Sequence, residues 1–354
     1  MALVSRSFVR ITRNICSRQN GRRLCHNFQY NVGVVGLPFC KGQPKPGVRS
    51  GPGAIRQAGL VEKLQMLEKD VKDYGDLVFE EIKEDPPFMG KIKNPRYVGS
   101  ANKKISEAVS QIIRDGRLCV SLGGDHAITI GTLHGHAQAQ PDVSVIWVDA
   151  HVDINTPLTS PSGNIHGTPV SYLVHELQEY VPVMPGFEWL KPCISAKDIA
   201  FIGVRDIDPG ERFIIEKFGL KCFSIHDIDK LGIVEVLKRA MDAVNPHRDK
   251  SFHISFDIDA LDPTFAYSTG TPVFGGLSFR EGMYIVEEVG STGLLTAIDM
   301  VEVNPELGDK LFQERTVASA VEVLTAAIGK RRHGNFPSFY DLPKASQTVS
   351  TADL

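Results

Sequence analysis

No stretch of this sequence holds the roughly 20 consecutive apolar residues that a bilayer-crossing helix needs, so a soluble protein with no membrane partner is expected. C-x-x-C pairs are also missing. Cys16, Cys25, Cys40, Cys119, Cys193 and Cys222 are scattered without the spacing of a zinc ribbon or a disulfide framework, and they read as reduced thiols inside a cell. Nor is there a basic excess: 39 Lys plus Arg stand against 42 Asp plus Glu, which argues against nucleic acid as a partner. The sharpest absence is local. No Asp or Glu precedes Glu62, while Arg6, Arg10, Arg13, Arg18, Arg22 and Arg23 crowd the beginning. At about 100° per residue, Val4, Phe8, Ile11 and Ile15 fall on one side of a helix and Arg6, Arg10 and Arg13 on the other. An acid-free, arginine-rich amphipathic start is the composition of a mitochondrial presequence, assigned to residues 1–25, and a matrix location is expected. The interspersed arginines exclude the continuous apolar centre of a secretory signal.

The 354 residues, 42% of them hydrophobic, suffice for one large core, and no break in composition divides them. From about Asn31 onward, short apolar runs alternate with stretches of helical period, which predicts an α/β fold with a mostly parallel sheet. Strands are expected at Val32–Leu37, Leu118–Leu122, Val143–Val148, Ile199–Val204, Phe252–Phe256 and Leu295–Val301. Helices are expected around Lys103–Arg114, Glu211–Phe218, Ile233–Ala243, Arg280–Val289 and Thr316–Ile328. Several strands are apolar on both alternations, as suits a three-layer sandwich with helices on either side of the sheet. One catalytic domain is expected over residues 26–334. Residues 335–354, with Pro337, Pro343 and little apolar periodicity, read as a tail that is disordered or used in assembly.

Polar residues that directly follow apolar strands mark where open α/β sheets place their ligands. In SLGGDH, Gly123 and Gly124 permit a sharp turn that leaves His126 at the C-terminal edge of the sheet, although a lone His after a Gly pair is more often a turn residue. VIWVDAHVDIN is a stronger signal. Side chains at alternate positions of extended backbone share a face, so Asp149, His151 and Asp153 would project into one volume, and burying three ionisable groups without a partner would be costly. Carboxylate with neutral imidazole suits a borderline-hard divalent ion. Asp257 and Asp259 repeat the arrangement in HISFDIDALDP and would repel unless a cation lay between them, whereas Asp262 and Pro263 read as a turn. Six candidate ligands exceed the needs of one catalytic ion, so two ions with shared carboxylates are the economical arrangement.

SLGGDH, DAHVDIN, SGNIHG and SFDIDALDP, with GPGAIR from Gly51, together resemble the ureohydrolases, and among them the mitochondrial type of arginase, over about Asn31 to Gly334. The resemblance implies an eight-stranded parallel sheet between helices and two Mn2+ per subunit, one on His126, Asp149, Asp153 and Asp257, the other on Asp149, His151, Asp257 and Asp259. It implies hydrolysis of L-arginine to ornithine and urea by a hydroxide held between the ions. Asp153 would also relay a proton to the leaving amine, and His166 would be the acid/base histidine. Glu302 would pair with the substrate guanidinium, a bidentate match. Asn155 and Ser162 would hold the α-carboxylate, Asp208 with Glu211 nearby the α-amino group, and Thr271 would line the site. Asp208 to Glu211 also reads as a capping box with Pro209 at the first helical position, a role compatible with substrate contact. Arg280, Glu281 and Arg332 resemble the residues that join subunits into a homotrimer. Val152, Ser160 and Thr168 depart from the usual residues and remove no ligand.

Overall fold

The computed structural model describes residues 31–335, so the expected presequence and nearly all of the expected tail lie outside the described residues. Eight strands follow in chain order: β1 (Asn31–Leu37), β2 (Asp70–Asp76), β3 (Leu118–Gly123), β4 (Val143–Val148), β5 (Ile199–Val204), β6 (Lys221–Ser224), β7 (Ser251–Asp257) and β8 (Leu295–Val301). They form a single sheet in the order β2-β1-β3-β8-β7-β4-β5-β6, with every neighbouring pair parallel. The chain thus starts at β1, lays the edge strand β2 on its outer side and β3 on its inner side, and then builds outward from β4 through β5 to the other edge, β6. It then returns to insert β7 and β8 between β3 and β4.

The helices are α1 (Gly51–Gln57), α2 (Leu60–Met66), α3 (Pro95–Arg114), α4 (Thr129–Ala139), α5 (Pro169–Leu173), α6 (Pro209–Phe218), α7 (Ile225–Val244), α8 (Phe279–Ser291) and α9 (Lys310–Ile328). Leu64, Leu237, Val286 and Leu324, from α2, α7, α8 and α9, pack with Val34, Val120, Ile146, Ile254, Phe256 and Met300 on one face of the sheet. On the other face, Ile105 and Val109 of α3 meet Val35 and Cys119, while Leu133 of α4 and Ile214 of α6 join Val145, Trp147 and Phe201. The expected three-layer sandwich with an eight-stranded parallel sheet is what forms.

Two strands and several helices were not anticipated. β2 and β6 are the sheet's edges, and an edge strand needs no continuous apolar signal; β2, DVKDYGD, has no buried residue. Helix α4, TIGTLHGHAQA, is disguised by two glycines. A Cβ on Gly131 or Gly135 would run into the backbone of Asn102 or Ser106 in α3, so the glycines serve the close approach of these two helices. Helix α7 begins earlier than expected and is interrupted at Gly232, whose φ of 74° is outside helical backbone.

Candidate active site

The four central strands β3, β8, β7 and β4 deliver the candidate residues from their C-terminal ends. His126 opens a short 3-10 turn after β3, capped by Asp125, whose carboxylate accepts the Ala127 N–H at 3.1 Å. Simple strand alternation does not carry the runs Asp149-x-His151-x-Asp153 and Asp257-x-Asp259. β4 ends at Val148, and Asp153 reaches the site with φ 49°, while Asp259 sits in the 3-10 turn Ile258–Ala260. Glu302, just past β8, has φ 59°. Positive φ is costly for a residue with a Cβ, and here both instances aim carboxylates into one cleft.

His126 Nδ1 lies 3.1 Å from Asp149 Oδ2, 3.1 Å from Asp153 Oδ2 and 3.2 Å from Asp257 Oδ2. The other oxygen of Asp149, Oδ1, is 3.3 Å from His151 Nδ1, which is 3.5 Å from Asp259 Oδ2. Two potential metal-holding groups result, His126 with Asp149 and Asp153, and His151 with Asp149 and Asp259, and Asp149 belongs to both. His126 Nδ1 is buried and has no hydrogen-bond partner despite the three oxygens around it. Ligands on a cation at metal–ligand distances of roughly 2.0–2.2 Å sit about 3 Å from one another, so the spacing and the orphaned nitrogen both fit a divalent ion.

The electrostatics agree. Burial, with the charges of Asp259 and Asp149, raises Asp257 well above the ordinary carboxylate range; burial and Asp149 raise Asp153. Burial likewise raises Asp259, against the opposing pull of His151. Burial opposes the charging of His126, yet the nearby carboxylates of Asp149, Asp153 and Asp257 raise it well above an ordinary imidazole; His151 is raised against burial by Asp259 and Asp149. Asp149, though buried, is lowered by the two histidines. Negative charge is crowded here in the way that a cation would relieve.

Several supporting residues carry no motif of their own. Trp147 stacks on His126 with ring centroids 4.2 Å apart and donates its Nε1–H to Asp149 Oδ2 at 3.0 Å. Asp206 Oδ2 stands 3.8 Å from His151 Nε2, and Ser255 Oγ 2.8 Å from His126 Nε2. The Arg205 guanidinium donates to the carbonyls of Asp259 at 2.7 Å and Val273 at 2.7 Å, tying the Asp259 turn to the loop that carries Thr271. The sequence did hold one clue: Ser251, His253, Ser255 and Asp257 alternate along β7, four polar residues on one face of a strand whose other positions are apolar.

Glu302 is buried, and its Oε1 accepts the His126 backbone N–H at 2.9 Å and meets His166 Nδ1 at 3.2 Å. Burial opposes protonation of His166, but Glu302 raises it. Beside them Asp125 is pushed up to about 7 by burial and by the Glu302 charge. Asn155 Nδ2 donates to Asp208 Oδ2 at 2.8 Å, joining two of the expected substrate contacts. The capping box at α6 is present, and Glu211 has both carboxylate oxygens engaged by backbone: Oε1 by Ile154 N–H at 3.1 Å and Oε2 by Asp208 N–H at 3.0 Å. Burial pushes Glu211 up to about 8. Ser162 is exposed, its hydroxyl accepting the Asn164 N–H at 3.2 Å, and no hydrogen bond among the described residues joins it to Asn155 or Asp208. Thr271 donates to Asp259 Oδ2 at 3.0 Å. Asp262 closes its turn as expected, accepting the Thr264 N–H at 3.0 Å.

Comparison with known proteins decides among the chemistries such a cleft allows. Residues 30–329 match the profile described as the Arginase family. The chain belongs to the arginase family. Human "Arginase-2, mitochondrial" is 51% identical over 318 residues, covering 90% of this chain and 90% of that protein. "Arginase, hepatic" from Aquarana catesbeiana is 51% identical over 314 residues, 88% of this chain and 97% of its own length. Among solved structures, the arginase from Bacillus caldovelox superposes with a TM-score of 0.77 at 35% identity, covering 86% of this chain and 100% of that one. As an arginase-family hydrolase, the protein has its cleft where the sheet's central strands end.

Proposed function

We propose that the protein hydrolyses L-arginine to L-ornithine and urea, with two Mn2+ held by His126, Asp149, His151, Asp153, Asp257 and Asp259. The observation that carries this reading is the division of Asp149, one oxygen toward His126 and the other toward His151. Bound there, the ions would supply hydroxide near neutral pH by lowering the pKa of water. Asp257, whose Oδ2 lies 3.2 Å from His126 Nδ1, would be the second carboxylate to serve both ions. Glu302 orients the guanidinium through its carboxylate while bracing the His126 backbone. His166, poised on Glu302, carries protons between the cleft and solvent, and Asp153 gives the leaving amine its proton. Asn155, Ser162 and Asp208 hold the amino-acid end, with Glu211 fixing Asp208 from behind and Thr271 fixing Asp259.

The test is urea release by manganese-loaded protein offered L-arginine and agmatine in parallel. Arginine alone should serve; a preference for agmatine, which lacks the α-carboxylate, would keep the metal chemistry and overturn the roles of Asn155, Ser162 and Asp208.

A matrix location is supported by the acid-free N-terminus and by relatives described as mitochondrial in human and rat. Residues 1–25 fused to a fluorescent protein should direct it to mitochondria. A homotrimer through Arg280, Glu281 and Arg332 is part of the same reading. Glu281 also caps α8, accepting the Ser278 N–H at 2.8 Å, and Arg332 pairs with Glu287 at 2.8 Å. Sedimentation of the purified chain should give three times the monomer mass.

A further inference from the structure

On the sheet face that carries the ligands, deeper in the molecule, lies a second polar cluster that the reaction does not use. His253 and Ser255 of β7, Asp299 of β8, and Thr129, Thr132 and His136 of α4 are all buried. Their contacts form a line. His126 Nε2 is 2.8 Å from Ser255 Oγ, Ser255 Oγ is 3.2 Å from Thr129 Oγ1, and Thr129 Oγ1 donates to Asp299 Oδ2 at 3.4 Å. The same carboxylate oxygen receives the Thr132 hydroxyl at 2.5 Å and faces His253 Nε2 at 2.9 Å.

Counting protons gives the line a direction. An imidazole that binds an ion through Nδ1 must carry its proton on Nε2. His126 Nε2–H then donates to Ser255, which leaves the single Ser255 proton for Thr129 and the single Thr129 proton for Asp299. An ionised carboxylate only accepts, so it is a proper end for such a chain. In the opposite sense, Ser255 would donate to Nε2, the ring proton would move to Nδ1, and the link from Ser255 through Thr129 to Asp299 would be lost.

We propose that Asp299 is a positioning residue for the metal centre: through Thr129 and Ser255 it sets the ring orientation and tautomer of His126, leaving Nδ1 free for the ion. The proposal rests on the reading of His126 as a ligand. A carboxylate usually does this by direct contact with the histidine; here two hydroxyls relay the effect across the space between β8 and β7. His253 meets the same oxygen, Oδ2, while Oδ1 is buried without a hydrogen-bond partner among the described residues, and His136, with Nδ1 3.1 Å from His253 Nδ1, backs His253.

The test is Mn2+ affinity of the full chain, measured by competition with a fluorescent chelator. Asp299→Asn should weaken binding by about 10–100-fold, the usual effect of losing a residue that orients a ligand, with KM for arginine unchanged at saturating Mn2+. Ser255→Ala should do the same, and the double variant should be no weaker than the weaker single, because both break one chain. Thr132→Val touches the same carboxylate outside the chain; it should lower the melting temperature and leave Mn2+ affinity within a few-fold. Wild-type affinity in Asp299→Asn, additive losses in the double variant, or an equal loss in Thr132→Val would overturn the proposal. If Asp299→Asn does not fold, the near-isosteric Thr129→Val decides, since it must weaken Mn2+ binding as Ser255→Ala does. Undiminished Mn2+ binding in His126→Asn would overturn the reading of the centre itself, and this inference with it.

Discussion

β7 and β8 have two unlike faces. Phe252, Ile254 and Phe256, with Ile298 and Met300, look toward α7, α8 and α9 into hydrocarbon, whereas His253, Ser255, Asp257 and Asp299 look toward α4. Both faces are buried, yet only one can be understood as packing. Burying apolar area stabilises by roughly 25 cal/mol per Å2, while a buried polar group merely recovers what its desolvation costs when it is fully bonded. The difference teaches that one face supports the strand ends and the other aims them.

The comparison can be broken most severely at the ligands. Asp149→Ala should abolish activity and metal binding together, because it removes the carboxylate common to both groups; two ions per chain retained in this variant would end the bridging assignment. His166→Ala should slow turnover by roughly 10^2 to 10^4-fold, the range of general acid/base catalysis, with metal content by atomic absorption unchanged. Loss of bound metal there would contradict its proton-carrying role. On the opposite face, Phe256→Ala should cost about 3–5 kcal/mol in denaturant unfolding and leave the folded protein's metal stoichiometry alone. A folded Phe256→Ala protein stripped of metal would show that the two faces are not independent.

The smallest effect is in pH. Asp153, Asp257 and Asp259 are raised from 3.8, and His126 and His151 from 6.5, so the metal-free folded protein holds protons that the unfolded chain has released. Their contribution is full below those ordinary values and is lost as pH rises through the folded ones; among the six candidate ligands Asp149, which is lowered, is the one that opposes. With chelator present, the melting temperature should therefore fall from about pH 4 upward, and added Mn2+ should remove most of the decline. A chelated protein whose stability rises over that range would show that protons do not substitute for the ions.

Much of this was legible because the central strands are buried on both faces and therefore read as unbroken apolar runs; β4, β5 and β8 have the expected bounds. The candidate ligands were legible because ionisable residues directly after such runs need a reason to be buried. What escaped was whatever does its work through a neighbour. Ser255 and Thr129 are ordinary polar residues until β7 and α4 are brought together, and Trp147 reads as core until its Nε1–H is seen to point at Asp149. Asp206 acts across a gap between chain segments that no local pattern records. The strained backbones of Asp153 and Glu302 were hidden for a related reason, since a sequence shows where a strand ends but not how the chain leaves it.

The insertion of β7 and β8 between β3 and β4 also bears on how the protein is made. During synthesis β3 and β4 emerge before the strands that join them; β4 keeps an open inner edge until β7 follows, and β3 until β8, ending at Val301, has left the ribosome. The catalytic centre is the last part of the sheet to close.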